Sequence, residues 1–318
     1  MASRTTVGLL TLAGVAMTLA LAPRASAEML PVKMNNAHGA YFKGRSKIAI
    51  ISYSINYIVA QQATAVGGWG TKARLAATLA GVEEPMMRSL ANEAHADLKA
   101  QLAAAGVAVA SDEEAMGVLR AAAVELIPGN RDDGGGTGGI TIGTSVKKAY
   151  VSFGADAAPL TNLYQPGGKV GGLGMLATMG RAGKLNRPGE AIDAVLLAPS
   201  LTLDFAEMEA HRGSRGASTS GAATFVLRAQ SPVNIQNPGP RGMGTPGFMM
   251  PAKDYPSATP FAAVDTGGGS VRALSSGGAA RGDAVIVDPK AWSALVRDAY
   301  RSYNAAIVAA IVKARPKG

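Results

Sequence analysis

Hydrophobic and polar residues alternate over 47–59, where isoleucine and tyrosine side chains are separated by serine and asparagine. This period of two predicts a strand with one buried face. Over 85–105 the apolar residues recur at spacings of three and four, which predicts an amphipathic helix that begins at a proline and ends before Gly106. The short apolar run 107–110 predicts a second, buried strand.

A capping box marks the start of a second helix. Ser111 is followed by three acidic residues, and Glu114 is spaced so that its carboxylate reaches the backbone of Ser111. We expect this helix to continue to Leu126, before Pro128. The predicted order over 47–127 is therefore strand, helix, strand, helix, which is typical of an α/β layer.

The middle of the chain predicts more strands, joined by glycine-rich connections. We expect strands at 147–153, 191–209, 223–230 and 284–287, and a helix at 172–179. The stretch 64–83 is predicted to be a loop or a short helix, and 129–139 a flexible loop. Prolines are concentrated in 231–282, which holds 7 of the 17, so we expect a loop-rich segment there.

The last predicted element is a long amphipathic helix over 289–314. Asp288 is placed to cap it, Pro289 suits its first position, and apolar residues form a continuous stripe along it. A helix on a membrane surface is the alternative, but it needs more cations than Arg297 and Arg301 on its polar face. The chain therefore predicts an α/β fold, a mixed sheet flanked by helices with a long C-terminal amphipathic helix.

Residues 1–27 have the three parts of a secretory signal peptide. A basic start is followed by an apolar run and by Ala25-Ser26-Ala27, which matches a cleavage site between Ala27 and Glu28. We therefore expect a periplasmic or secreted protein in which 28–318 form a single exported α/β domain. No second apolar run is long enough for a transmembrane helix, and none is expected.

Composition narrows the possible chemistry. The 318 residues include no cysteine, which excludes disulfides, zinc–thiolate sites and cysteine nucleophiles. The formal charge is +9, or +9 − 2 = +7 without Arg4 and Arg24 of the leader. A positive surface suits acidic partners such as anionic lipid headgroups or polyanionic glycans, and nucleic acid is not expected outside the cytoplasm. The cations are scattered along the sequence, however, with the densest cluster at Lys313, Arg315 and Lys317, and this favours a surface charge that only keeps the protein in solution.

The histidines do not form a ligand pattern. The three of them are far apart in sequence, and His95 is predicted to lie on the solvated side of its helix. Glu207, Glu209 and His211 are alternate residues that would share one face of a strand, but no second segment adds a matching ligand. We therefore expect no metal.

Two further motifs are incomplete. Ser145 and Lys148 have the S-x-x-K spacing of penicillin-binding enzymes, but the partner K-T-G motif is missing and the residues lead into a strand. The glycine-rich stretch 134–139 lacks the lysine of a phosphate-binding loop. We therefore expect no catalytic residues and no cofactor.

Five apolar residues form a candidate ligand pocket: Met243, Phe248, Met249, Met250 and Phe261. Methionine adapts to irregular ligands, which favours a pocket. Alternatively, the five side chains fix the segment 231–282 to the core.

The pattern over 47–109 resembles a known type of exported domain. The strand over 47–51, a long helix ending in Leu98-x-x-x-Leu102-x-x-x-Gly106, and the short strand Val107-x-Val109 carry the resemblance. They are similar to the exported α/β domains of the curli secretion-channel family and to the amino-terminal domain of the Tol-system propeller family. The resemblance covers under a third of the chain and implies an exported α/β domain. It brings no catalytic signature, and the chain lacks the lipid-attachment cysteine of the channel family.

Three functional hypotheses follow from the sequence. The leading one is a non-catalytic periplasmic or secreted protein that acts in envelope-associated binding or assembly, with an unknown envelope protein or a second copy as its partner. The alternative is a periplasmic carrier of a small apolar molecule or a lipid, bound by the methionine and phenylalanine cluster. The third is a secreted hydrolase that uses Glu207 and Glu209.

Overall fold

The fold was obtained as a computed structural model. It describes residues 31–134, 137–141, 144–163, 183–214, 216–239, 244–265, 270–271, 280–281 and 283–315. The expected leader over 1–27, its cleavage site and the expected helix over 172–179 lie outside these residues.

The described residues form four α-helices and sixteen strands. The helices are α1 (Glu84–Ala104), α2 (Asp112–Ala121), α3 (Asn186–Ala191) and α4 (Pro289–Ala314). The first eight strands are β1 (Met34–Asn35), β2 (Lys47–Ile50), β3 (Ser54–Val66), β4 (Lys72–Ala80), β5 (Arg131–Asp132), β6 (Thr137–Thr141), β7 (Thr144–Gly154) and β8 (Ala194–Arg212). The others are β9 (Ala217–Leu227), β10 (Val233–Asn237), β11 (Thr245–Pro251), β12 (Tyr255–Ser257), β13 (Ala262–Asp265), β14 (Ser270–Val271), β15 (Ala280–Arg281) and β16 (Asp283–Val287).

Fourteen of these strands join in one mixed sheet, which confirms the predicted fold class. The main path through it is β1-β11-β10-β8-β3-β4-β16-β13. Strand β8 lies at its centre, parallel to β2 and β3 and antiparallel to β9 and β10. Strand β3 pairs antiparallel with β7 along most of its length and with β4 beyond residue 60. Parallel and antiparallel pairs are therefore combined around two central strands.

Helices α1 and α4 cover one face of this sheet. That face presents Tyr53, Ile55 and Tyr57, each at most 1% exposed. The ring of Trp292 in α4 lies 5.3 Å from the ring of Tyr57, and the Tyr57 hydroxyl donates to the carbonyl oxygen of Met87 in α1 at 3.1 Å. These contacts bury some of the largest side chains of the core between the two helices and β3.

Helix α2 packs in a second, smaller cluster. Ala115, Val118 and Leu119 of α2 are buried together with Ala49 of β2 and Leu196 of β8. The predicted capping box is present, because the Ser111 side chain accepts from the Glu114 amide and the Glu114 carboxylate accepts from the Ser111 amide.

The three predicted helices that fall within the described residues are confirmed, with one change of length. Helix α4 has the predicted bounds, and the Asp288 carboxylate accepts from the amides of Lys290 and Ala291. Helix α2 ends at Ala121 rather than near 126, because Ala123 has a φ of 49°, which a right-handed helix does not accommodate.

Three loop predictions were wrong. Strand β4 and the end of β3 together occupy most of 64–83, and β5 and the start of β6 lie in the glycine-rich stretch 129–139. The segment 231–282 contains β10 to β15. In each case pairing with a neighbouring strand outweighs the low strand preference of alanine, glycine or proline. The expected strand over 107–110 is reduced to a single bridge between Val109 and Ile48.

Asn304 of α4 links this helix to α1 and to the sheet, and its replacement is expected to destabilise the protein. Its amide donates to the Ala94 carbonyl at 2.9 Å and to Asp97 at 2.8 Å, and its oxygen accepts from the Tyr53 hydroxyl at 2.8 Å. Asn304→Leu leaves buried polar groups without partners, so we expect the free energy of unfolding to fall by roughly 3 kcal/mol. Urea unfolding measures this change.

A double variant tests the cause. Adding Tyr53→Phe removes the hydroxyl that loses its partner in Asn304→Leu. The double variant should therefore lose less free energy of unfolding than the sum of the losses in the two single variants. Strictly additive losses of unfolding free energy would show that the Tyr53–Asn304 hydrogen bond does not cause the destabilisation.

Candidate functional site

Two long hairpins, β3–β4 and β8–β9, stack face to face and form what we call the hairpin lobe, residues 60–76 and 204–226. Their tips touch, since the amide of Gly68 donates to the carbonyl oxygen of Gly213 at 3.2 Å. A Cβ atom on Gly67 would overlap with the carbonyl oxygen of Gly216. Only glycine therefore permits this approach of the two tips.

Small side chains fill the space between the two hairpins. Ala63 and Ala65 of β3 are fully buried, and the side chain of Leu75 in β4 lies over Gly221 of β9. Side chains of this size let the two layers approach closely. The outer faces of both hairpins point away from this interior because side chains alternate along a strand.

The base of the lobe holds a buried group that we call the Asp204 cluster: Asp204, Gln61, Lys148 and Arg228. The Asp204 side chain is fully buried. Its Oδ2 accepts from Lys148 Nζ at 2.6 Å and from Arg228 Nε at 2.8 Å, and its Oδ1 accepts from Gln61 Nε2. A buried carboxylate is tolerated only when it is paired and hydrogen-bonded in this way.

Arg228 extends the cluster to the next strand. Its guanidinium also donates to Asp254 at 2.8 Å, just before β12. Burial alone would lower the pKa of Arg228, but Asp204 and Asp254 together raise it above its ordinary value. The cluster therefore fixes β7, β8, β9 and the start of β12 relative to one another.

A second hydrogen-bond network, formed by neutral side chains, lies deeper in the core. Asn56 donates to Ser200 at 2.9 Å and to Thr202 at 3.2 Å, and it accepts from Ser152 at 2.6 Å. All of these residues are buried. With its oxygens occupied by Lys148, Arg228 and Gln61, Asp204 is placed to hold strands together rather than to take a proton from a substrate.

One outer face of the lobe is positively charged, and we call it the basic face: Lys72, Arg74 and Lys147, with Gln62, Thr64 and Ser145 between them. Thr64 pairs with Arg74 on one side and with Ser145 on the other, so the three share one face. Gln62 pairs with Lys147, and Val66 pairs with Lys72. Lys72 and Arg74 are exposed and Lys147 is half-buried. Strands β3, β4 and β7 contain no aspartate or glutamate.

The opposite outer face is acidic, and it carries the residues that the sequence singled out as a possible metal face. Glu207, Glu209 and His211 are all exposed on one face of β8, as their spacing predicts. The Glu209 carboxylate lies 3.0 Å from His211 Nε2. Among the described residues, no group of three or more histidine, aspartate or glutamate side chains is placed to hold a metal ion.

The S-x-x-K residues do not meet. Ser145 pairs with Thr64 and Lys148 pairs with Gln61, which places the two side chains on opposite faces of β7. Ser145 lies on the basic face, whereas Lys148 belongs to the Asp204 cluster.

The structure separates the five pocket candidates. Phe261 lines a cavity of about 530 Å³ between β9, β12 and β13, together with Ala223, Thr224, Pro256, Ser257, Ala258, Thr259, Pro260 and Ala262. Phe248, Met249 and Met250 lie on β11, where Met249 is fully buried in the core and the other two are half-buried. Met243 falls in a gap of the described chain. A ligand pocket formed by these residues stays a prediction.

His95 was wrongly predicted to lie on the solvated side of α1. It is 4% exposed, because it follows Ala91 by four residues and precedes Leu98 by three, and both of these are fully buried. Its ring lies 6.3 Å from that of Tyr53, and Nε2 lies 3.8 Å from Asp112 Oδ1, beyond hydrogen-bond distance. Burial lowers the pKa of His95; Asp112 opposes this effect and Lys99 adds to it.

Sequence reasoning missed the Asp204 cluster. Its members come from β3, β7, β8 and the residue after β9, and only strand pairing brings them together. One local signal was present, since Asp204 stands between Leu203 and Phe205 in an apolar strand. A charged residue within a buried strand requires a partner of opposite charge.

Comparison with known proteins gives no match: no family model, no curated protein and no solved structure matches this chain. Within the described parts of the chain, the helices are all too short or too polar to cross a membrane.

Neutralising the buried carboxylate should destabilise the protein strongly. Asp204→Asn leaves Lys148 and Arg228 facing each other without their shared anion, so we expect the free energy of unfolding to fall by about 3–5 kcal/mol. Denaturant unfolding measures this loss. Glu207→Gln is the matched control on the exposed face of the same strand, and it should change stability by less than about 0.5 kcal/mol. Equal effects of the two substitutions would contradict the assigned role.

His95 should make stability depend on pH. Because its pKa is lowered in the folded state, the unfolded chain takes up the proton first as the pH falls below about 6.5. We expect the free energy of unfolding to decrease from pH 7 to pH 5, with a smaller decrease in His95→Leu. A pH profile of His95→Leu that matches that of the wild type would rule out His95 as the source.

Proposed function

We propose that this chain is a non-catalytic exported protein that binds or assembles at the cell envelope through its hairpin lobe. The observation that carries the proposal is the separation of charge on the lobe. Lys72, Arg74 and Lys147 lie on one outer face, while Glu207 and Glu209 lie on the other. Opposite charges held on separate, flat faces favour oriented contact with partners.

The interior of the lobe supports this proposal. The Asp204 cluster and the touching tips hold both hairpins in place. The outer faces therefore need no rearrangement before a partner binds. A preorganised surface loses less conformational entropy when a partner binds. The expected leader over 1–27 supports a partner outside the cytoplasm. The resemblance to exported domains of the curli secretion-channel and Tol-system propeller families supports the same location.

A carrier of a small neutral molecule is the second candidate. The cavity of about 530 Å³ is lined only by alanine, proline, serine, threonine and Phe261, without a charged side chain. Such a lining favours a neutral, partly apolar ligand. Its volume is within the range of small-molecule sites.

Cell fractionation tests the leading proposal. The full chain, expressed in a bacterium with an envelope of two membranes, is expected to lose residues 1–27 and to sediment with the envelope. Leu12→Arg interrupts the apolar run of the leader and should leave a full-length protein in the cytoplasm. Mass spectrometry of each fraction measures both results.

A charge-swapped variant tests the role of the lobe. Lys72→Glu and Arg74→Glu combined with Glu207→Lys and Glu209→Lys exchange the two faces without changing the net charge. We expect the exported variant to fold normally and to be released from the envelope fraction. Retention at the wild-type level would contradict the proposal. A wild-type protein that stays soluble and carries a discrete extra mass in native mass spectrometry would favour the carrier instead.

A further inference from the structure

We propose that the basic face docks on the surface of an anionic lipid bilayer. This inference rests on the proposed function and names the partner of one face of the lobe. It begins from the composition of that face, where three cations stand among amide and hydroxyl side chains. Cations of this kind attract the anionic headgroups of a membrane.

The spacing of the cations suits an array of separate anions. Lys72 and Arg74 are alternate residues of β4, about 7 Å apart along the strand. Lys147 lies on β7, two strands away across β3, at about 10 Å in the hydrogen-bonding direction. Charges spread over one face of a sheet match several headgroups side by side, whereas a single phosphate requires cations that converge on one point.

The groups between the cations can also bind headgroups. Thr64 and Ser145 supply hydroxyls and Gln62 supplies an amide, each in line with a cation across the strands. These side chains donate hydrogen bonds to phosphate oxygens. The basic face therefore combines electrostatic attraction with neutral donors over its whole width.

Repulsion from carboxylates is weak on this side of the lobe. The strands β3, β4 and β7 carry no acidic residue, and Lys72 and Arg74 form no ion pair with any residue that the structure describes. The acidic residues Glu207 and Glu209 belong to the other outer face. A bilayer that contacts the basic face would leave the acidic face turned toward water.

Vesicle co-sedimentation tests the inference. The purified chain is mixed with vesicles of phosphatidylcholine alone or of phosphatidylcholine with phosphatidylglycerol. We expect binding only to the anionic vesicles, and weaker binding as salt is raised. The variant Lys72→Gln/Arg74→Gln/Lys147→Gln should bind roughly a hundredfold more weakly, since each cation near the surface contributes about fivefold.

A matched variant controls for net charge. Lys33, Lys43 and Lys313 are exposed cations outside the lobe, and Lys33→Gln/Lys43→Gln/Lys313→Gln removes the same charge. This control should bind within a few-fold of wild type. All the proteins share the same residues 1–27 or lack them alike, so the leader cannot cause a difference. Circular dichroism confirms that each variant is folded.

Three outcomes would overturn the inference. The basic-face variant and the control variant could lose the same affinity for anionic vesicles, the chain could bind neutral vesicles as well as anionic ones, or it could bind no vesicles. Retention on an immobilised polyanionic glycan without vesicle binding would reassign the basic face to a glycan. If the chain sediments with the envelope in cells but does not bind vesicles, the proposed function stands and only the lipid partner is wrong. If it binds vesicles but is never exported, the proposed function is wrong while the affinity of the face remains.

Discussion

The burial of one carboxylate, that of Asp204, imposes the arrangement of the strands around it. A lone anion in this interior would be destabilised by several kcal/mol, so cations must reach it from the neighbouring strands. Lys148 comes from β7 and Arg228 from the residue after β9. The pairing of β3 with β7 shifts register between Ile58 and Ala60, and that of β8 with β9 shifts beside Asp204. Such bulges bend strands, and these two lie where the hairpins leave the helix-covered part of the sheet.

The hairpin lobe depends on this cluster because its interior supplies little apolar area. Ala63 and Ala65 bury far less surface than the tyrosines and Trp292 between the helices. Close approach of the backbones compensates in part, through contacts such as that of Gly68 with Gly213. The two halves of the molecule are therefore stabilised differently, one by large apolar side chains and the other by polar contacts and small residues.

This difference explains how much the sequence predicts. The bounds of α4 and the capping box of α2 are local signals, and both are present in the structure. Strand β4 was predicted as a loop or short helix because Ala76 and its neighbours carry no strand signal of their own; only pairing with β3 makes them a strand. The Asp204 cluster was missed for the same reason, since Gln61, Lys148 and Asp204 meet only through the register of three strands.

The distribution of charge on the hairpin lobe follows from its two stacked sheet layers. The inner face of β8 carries Asp204, whose charge is matched by two cations, whereas its outer face carries Glu207 and Glu209 in water. Two sheet layers separate these carboxylates from Lys72 and Arg74 by at least about 10 Å, which exceeds the screening length of about 8 Å at physiological salt. The acidic face therefore does little to weaken the field of the basic face. A flat anionic surface that approaches β4 meets positive charge, although the lobe as a whole carries both signs.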